Sequence, residues 1–299
     1  MRRRFITLDV FTRNRFAGNP LGMVFEADGL DTDAMQTIAR EIGYSETVFM
    51  MPPKDASQKA AMRIFTPAWE LPFAGHPTVG AAVGLAREAG GGGRLEFVIG
   101  EKIGPVPCVA RMHDADSGFA EFKLPKLPQR VGDLPDAAAL AAALGLEAGD
   151  IAADDYQPSR WSAGVAFSMV PVRSLDAATR AKPDATRFDE TFAIDGPAKV
   201  YVICSETADA GHHLHARMFA PGGGIAEDPA TGSALAAFAG LHVAHKLPAD
   251  GVHRLTIEQG YEMGRPSRMH LTLEVAGGQL REASIGGDAV VVMEGVIEA

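Results

Sequence analysis

Two short stretches place a polar side chain beside a proline and a run of small residues. They are Gly75-His76-Pro77-Thr78-Val79-Gly80-Ala81 and Glu227-Asp228-Pro229-Ala230-Thr231-Gly232-Ser233. Proline favours the first turn of a helix, with a polar cap just before it. The pattern therefore predicts that His76 and Asp228 stand at, or one residue before, helix N-termini. Small residues at Gly80-Ala81-Ala82 and Gly232-Ser233-Ala234 let those first turns approach a neighbour closely. If the halves that carry them face each other, free N–H groups and positive dipole ends converge on one cleft and favour an anion such as a carboxylate. Each residue alone has a plainer reading, Asp228 as a helix cap and His76 as a polar loop residue. It is the pairing that points to a site.

Glu46 poses a similar choice. It opens a strand-like run, Tyr44-Ser-Glu-Thr-Val-Phe-Met50. At a strand end a glutamate is ordinarily solvated. Packed among Tyr44 and Phe49 it would have a raised pKa, the condition for a carboxyl group that takes and returns a proton near neutral pH. Histidines offer a rival centre, with His212, His213 and His215 clustered and His242 and His245 three apart. No Asp, Glu or Cys completes a recognisable ligand pattern, so no metal is expected, and His212 to His215 read as a surface turn. Cys108 and Cys204 lie in apolar strand sequence and read as buried and inert.

The elements that must hold these groups follow from periodicity. Residues 4–25 read as two strands around a turn-rich loop. Met35, Ile38, Ala39 and Ile42 repeat at helical spacing behind Asp31 and Asp33 and before Gly43, a helix with its caps. Strands are expected at 44–50, 61–65, across 95–122 and at 165–172, with helices from Pro77 to near Gly90 and at 137–144. Gly90 to Gly93 reads as a helix exit. It lacks the GxxxxGK[ST] spacing of a phosphate loop. Prolines at 125, 128 and 135 mark 124–135 as a linker. Most informative is a repeat: Arg63-Ile-Phe-Thr-Pro67 resembles Arg217-Met-Phe-Ala-Pro221, and each leads through a loop to its Pro-Gly motif. A strand–loop–helix unit thus occurs once in each half, predicting two similar domains.

Composition sets the outer bounds. The 299 residues are 46% hydrophobic and 22% charged, a globular balance with ample material for a core. The net charge of −10 repels phosphate backbones and anionic lipid, so neither nucleic acid nor membrane is an expected partner. Two cysteines make no disulfide framework and fit a reducing cytoplasm.

At these residues the sequence resembles the PhzF-like family, named for the phenazine-biosynthesis isomerase. The matching pieces are Asp9-Val-Phe-Thr with Gly18-Asn-Pro20, Tyr44-Ser-Glu-Thr, Ile64-Phe-Thr-Pro, Phe73-Ala-Gly-His-Pro-Thr-Val-Gly, and Arg217-Met-Phe-Ala-Pro with Glu227-Asp-Pro-Ala-Thr-Gly-Ser-Ala. The resemblance implies an α+β chain of the diaminopimelate-epimerase-like fold: two pseudo-symmetric domains, each a mostly antiparallel sheet wrapped around a central helix. They would comprise residues 1–126 with a closing strand at about 288–299, and residues 127–287. It implies a homodimer that needs no metal or organic cofactor and takes a small carboxylate-bearing substrate. Glu46 matches the family's acid/base, His76 and Asp228 match polar groups lining the cleft, and Ser233 with the N–H groups of Gly75 and Gly232 matches positions that hold the substrate carboxylate. Epimerases and racemases of this fold carry a Cys in each helix-start motif, and neither motif here does. A proton-shifting isomerase is expected, with an amino-acid epimerase or a binding protein on the same scaffold as alternatives.

Overall fold

A computed structural model describes residues 1–90, 93–152, 155–193 and 196–299. Two sets of residues pack chiefly among themselves: Met1–Pro125 with Ile285–Ala299, and Lys126–Ser284. In the first, β1 (Arg2–Val10) and β2 (Asn19–Val24) pair antiparallel. Helix α1 (Thr32–Ile42) then carries the chain across to β3 (Glu46–Met51), which runs parallel to β2. Asp31 Oδ1 accepts the N–H of Ala34 at 2.8 Å, and Gly43 leaves the helix at φ 72°, so both expected caps are in place. Then follow β4 (Ala60–Phe65), the two-residue β5 (Glu70–Leu71), α2 (Gly75–Glu88), β6 (Leu95–Glu101), β7 (Gly104–Met112) and β8 (Ser117–Lys123). Strand β4 is antiparallel to β3 and parallel to β6, and β6, β7 and β8 form a meander.

The last strand of the chain, Gln279–Glu298, pairs with β1 from Arg2↔Glu298 to Val10↔Ala289, and also with β8. That closes a ring β1–β2–β3–β4–β6–β7–β8–last strand, which leaves no open sheet edge around it. Inside the ring runs α2. Every residue from Gly75 to Ala86 is buried, and the sequence supplies small or apolar side chains on all faces of that helix. Gly80 and Gly84 let its backbone settle on β2: a Cβ at Gly80 would lie 2.5 Å from Leu21 Cδ2, and one at Gly84 2.6 Å from Met23 Sδ.

The second unit contains β9 (Gln129–Asp133), α3 (Ala137–Ala143), β10 (Ser159–Ser162), β11 (Ala166–Pro171), α4 (Leu175–Arg180), α5 (Arg187–Phe192), β12 (Val200–Cys204), β13 (Leu214–Ala220), β14 (Ile225–Asp228), α6 (Gly232–Lys246), β15 (Gly251–Gln259) and β16 (Ser267–Ala276). The last strand is β17. The sheet order is β9–β10–β11–β12–β13–β15–β16, with β11/β12 and β13/β15 parallel. Helix α6 is buried along most of its length, and Gly240 sits where a Cβ would meet the Trp161 ring at 2.5 Å.

The repeat seen in the sequence is a repeat of structure. The order β2–α1–β3–β4–β5–α2–β6 recurs as β11–α4–α5–β12–β13–β14–α6–β15, with the same parallel and antiparallel partners at each step. Some expectations change. The stretch 124–135 is not all linker: its proline-free interior forms β9, which pairs with β10. Helix α2 begins at Gly75, two residues before Pro77. Residues 91 and 92 of the expected helix exit lie outside the described residues. No helix among the described residues is long and apolar enough to cross a membrane.

Candidate active site

Glu46 is the first residue of β3, in register with Leu21 of the parallel β2. Beside it Ser45 Oγ donates to Asn19 Oδ1 at 3.0 Å, tying the two strand starts together. The Glu46 side chain keeps 12% of its surface exposed, so it is packed rather than solvated, yet still reachable. His76, in the first turn of α2, puts Nδ1 3.5 Å from Glu46 Oε2. Burial pushes the pKa of His76 down to about 3, with the Pro20 carbonyl pulling the other way. The imidazole is therefore neutral at physiological pH, and its contact with Glu46 is a polar contact and not an ion pair. His76 Nε2 is buried and has no hydrogen-bond partner among the described residues.

Asp228 ends β14, opposite Met218 of β13, and is buried. It is not the cap of α6, which starts four residues later at Gly232. Instead the Thr231 hydroxyl donates to Asp228 Oδ2, and the Gln259 side chain locks the turn. Gln259 Nε2 donates to Asp228 O at 2.7 Å and to Thr231 Oγ1 at 3.0 Å, while its Oε1 accepts from Thr231 N at 3.2 Å. Burial, with the Asp228 charge adding to it, pushes the Tyr201 phenol well above its ordinary pKa. Gly232 opens α6 and is buried, and Ser233 beside it is half-buried. Glu46, Gly75 and His76 thus belong to the first unit, and Asp228, Gly232 and Ser233 to the second.

Neither α2 nor α6 has a side-chain hydrogen bond at its N-cap, Ala74 and Thr231 respectively, and α5 lacks one at Thr186, whereas Asp31, Asp136 and Ser174 cap α1, α3 and α4. First-turn N–H groups without a side-chain cap can bind an anion.

The paired arginines of the repeat brace these helix starts. Arg63 forks onto Glu70 of β5 (2.8 and 3.0 Å), and its guanidinium lies 5.0 Å above the Phe65 ring. Arg217 forks onto Glu227 of β14 (2.8 and 2.9 Å) and lies 4.8 Å above Phe219. Its Nη1 also donates to the carbonyls of Ala178, Thr179 and Ala181. The hydrogen bond from Arg63 holds Glu70 below the ordinary carboxylate range. Both glutamates escaped the sequence reading. The signal was available, an acidic residue seven or ten positions beyond each arginine, but unequal loop lengths hid the equivalence.

The histidines also differ from expectation. His215 is buried and His212 half-buried, and they share one fully buried carboxylate, Glu258, at 2.8 and 2.6 Å through their Nδ1 atoms. His215 Nε2 reaches Glu262 Oε1 at 3.0 Å. Among the described residues no cluster of three His, Cys, Asp or Glu is placed to hold a metal. His242 Nδ1 meets the Tyr156 hydroxyl at 3.0 Å, and His245 Nδ1 the Leu241 carbonyl at 3.0 Å. Cys108 and Cys204 are buried, and burial raises both thiol pKa values.

The family model described as phenazine biosynthesis-like protein matches residues 8–295. The chain belongs to the phenazine biosynthesis-like family. An uncharacterized isomerase of Mesorhizobium japonicum is 49% identical over 296 residues, covering 98% of each chain. A trans-2,3-dihydro-3-hydroxyanthranilate isomerase of Pseudomonas aeruginosa is 32% identical over 292 residues, again covering 98% of each. The crystal structure of a Bacillus anthracis phenazine biosynthesis protein of the PhzF family superposes with a TM-score of 0.89 over the full length of both chains at 29% identity. A hydroxyproline epimerase from Agrobacterium vitis reaches a TM-score of 0.61 at 12% identity, over 99% of this chain and 92% of that one, a likeness of fold alone. This phenazine biosynthesis-like chain is accordingly an isomerase-family enzyme with the diaminopimelate-epimerase-like fold.

Proposed function

We propose that the enzyme shifts a proton between carbons of a small carboxylate-bearing substrate, with Glu46 as the acid/base. The observation that carries this reading is the Glu46–His76 contact at the uncapped start of α2. Glu46 takes a proton from a carbon activated by a neighbouring carboxylate or enamine and returns it at another carbon. His76 is neutral and so can donate one hydrogen bond and accept another without adding charge. It steadies Glu46 and the developing negative charge. The N–H groups at the start of α2, Gly75 among them, hold the substrate carboxylate, and the matching start of α6, with Asp228, Gly232 and Ser233, is proposed for the same tasks. The name of the P. aeruginosa relative supplies the reaction class, an isomerisation of a carboxylate. A two-thiol epimerisation is disfavoured, because Cys108 and Cys204 sit in strands β7 and β12 and not at a helix start.

The test is solvent-deuterium exchange into a panel of small amino and unsaturated carboxylates that includes trans-2,3-dihydro-3-hydroxyanthranilate. Glu46→Gln should lower exchange by about 10²- to 10⁴-fold, the usual worth of general acid/base catalysis, while binding is retained. Exchange unchanged in that variant removes Glu46 from the mechanism.

A further inference from the structure

Glu101 closes β6 and is buried, although the chemistry proposed above makes no use of it. Its partner is Thr78, two residues beyond His76 on α2. At 100° per residue the two side chains leave the helix about 200° apart, so Thr78 faces β6 while His76 faces Glu46. Thr78 Oγ1 lies 2.8 Å from Ala74 O and 2.8 Å from Glu101 Oε1. A hydroxyl has one proton to donate. Ala74 O can only accept, and so can a carboxylate, so both 2.8 Å contacts are hydrogen bonds only if Glu101 carries a proton of its own. With that proton on Oε1, Glu101 donates to Thr78 and Thr78 donates to Ala74 O. The other carboxyl oxygen, Oε2, is buried with no partner among the described residues. That is tolerable for the carbonyl oxygen of a neutral acid and costly for half of a carboxylate.

We infer that Glu101 is a positioning residue held as a neutral carboxylic acid: it donates to Thr78, fixes the first turn of α2 on which Gly75 and His76 stand, and loosens that turn when it ionises. The inference rests on the proposed role of that turn only for its effect on turnover. Burial pushes the pKa of Glu101 up to about 8. Once ionised, the carboxylate claims the Thr78 proton, and Ala74 O loses it. From β7 the Cys108 thiol faces the same carboxyl, and its own pKa is raised by burial and by Glu101. Lys102, next in the chain, turns its ammonium to Glu70 at 3.1 Å, and Arg63 of β4 pairs with that same glutamate. On β8 it is Ala120 and Phe122 that are buried, while Glu121 and Lys123 alternate onto the other face. No cation pairs with Glu101 among the described residues, so nothing offsets its ionisation.

The experiment combines an infrared titration with amide exchange at residues 75–78, both on the substrate-free protein. Wild type should show a protonated carboxyl C=O band at neutral pH that titrates near pH 8 and is absent from Glu101→Gln. Amide exchange at 75–78, corrected for its intrinsic pH dependence, should rise through the same transition in wild type and stay flat in the variant. The glutamine keeps a donor for Thr78 and cannot ionise. If that variant does not fold, Thr78→Val replaces it, and the band moves to higher frequency as its hydrogen bond is lost. With trans-2,3-dihydro-3-hydroxyanthranilate as probe, wild-type turnover should fall about tenfold per pH unit above the transition, as a single ionisation requires, and not in Glu101→Gln. A Glu101 ionised at neutral pH, or an alkaline rise in exchange shared unchanged by Glu101→Gln, overturns the inference. The two substrate-free arms decide it even if Glu46→Gln proves fully active, which would overturn only the reading of the site.

Discussion

Replacing Glu258 with Gln tests the reading of the buried network in the second unit. Glu258 Oε1 accepts from Ala208 N at 2.6 Å and from His215 Nδ1 at 2.8 Å, and Oε2 accepts from Asp209 N at 3.2 Å and from His212 Nδ1 at 2.6 Å. Each oxygen thus receives one backbone N–H and one imidazole N–H. A glutamine turns one of those oxygens into a donor. The imidazole there can change tautomer and accept, but the backbone N–H cannot. One buried donor is stranded, at about 1–3 kcal/mol, and the charge-assisted character of the remaining bonds is lost, at roughly another 1 kcal/mol. The expected loss is about 3 kcal/mol, or roughly 6–12 °C in Tm for a unit of this size. The loss should also vary with pH. Burial lowers the pKa of His215, but the bonds to Glu262 and Glu258 outweigh it, and the net shift is upward. The charged His215 therefore contributes stability in full below its unfolded pKa of about 6.5, and that contribution fades as pH rises through the higher folded pKa. Denaturant unfolding at about pH 6 and about pH 9 should show the larger deficit at the lower pH. A deficit below about 1 kcal/mol, or one equal at both pH values, refutes the charge-sharing account.

Other substitutions test the scaffold. Gly80→Ala puts a methyl 2.5 Å from Leu21 Cδ2 and 2.8 Å from Val10 Cγ2, so overpacking of about 1–3 kcal/mol should outweigh the helix-propensity gain, as thermal unfolding will show. Arg217→Lys keeps the charge but loses the fork onto Glu227 and most of the carbonyl contacts of Nη1. It should cost about 2 kcal/mol in denaturant unfolding and, on the proposed role of Asp228, lower turnover, because β14 carries Asp228.

What could be read from the sequence was local. Helix α1 announced itself through its spacing and through Asp31 and Gly43, and those groups do the capping. The two arginine-led motifs reported the repeat because strand β4 and strand β13 need the same residues to start the same turn. Rules of proline placement misjudged both central helices for a physical reason. In α2 the buried setting lets the helix start at Gly75 without a capping side chain, and in the second unit the Asp228–Thr231–Gln259 hydrogen bonds supply the order a cap would give. Strand β9 was hidden between prolines, and the six-residue helices α4 and α5 are too short to show a period. Glu101, Glu258, Glu70 and Glu227 owe their roles to partners between 7 and 50 residues away. Local spacing does not encode such contacts.

Strand β17 also has a consequence for how the molecule is made. Its end pairs with β1 so completely that the Ala299 N–H donates to the Met1 carbonyl at 2.8 Å. On the ribosome residues 1–125 emerge before residues 285–299, and they lack one stave of their barrel until those follow. Residues 126–284 form an uninterrupted stretch and are under no such delay. Of the two units, the one begun earlier is therefore completed later, and a nascent chain stalled shortly before residue 285 would expose the bare flanks of β1 and β8 to any chaperone nearby.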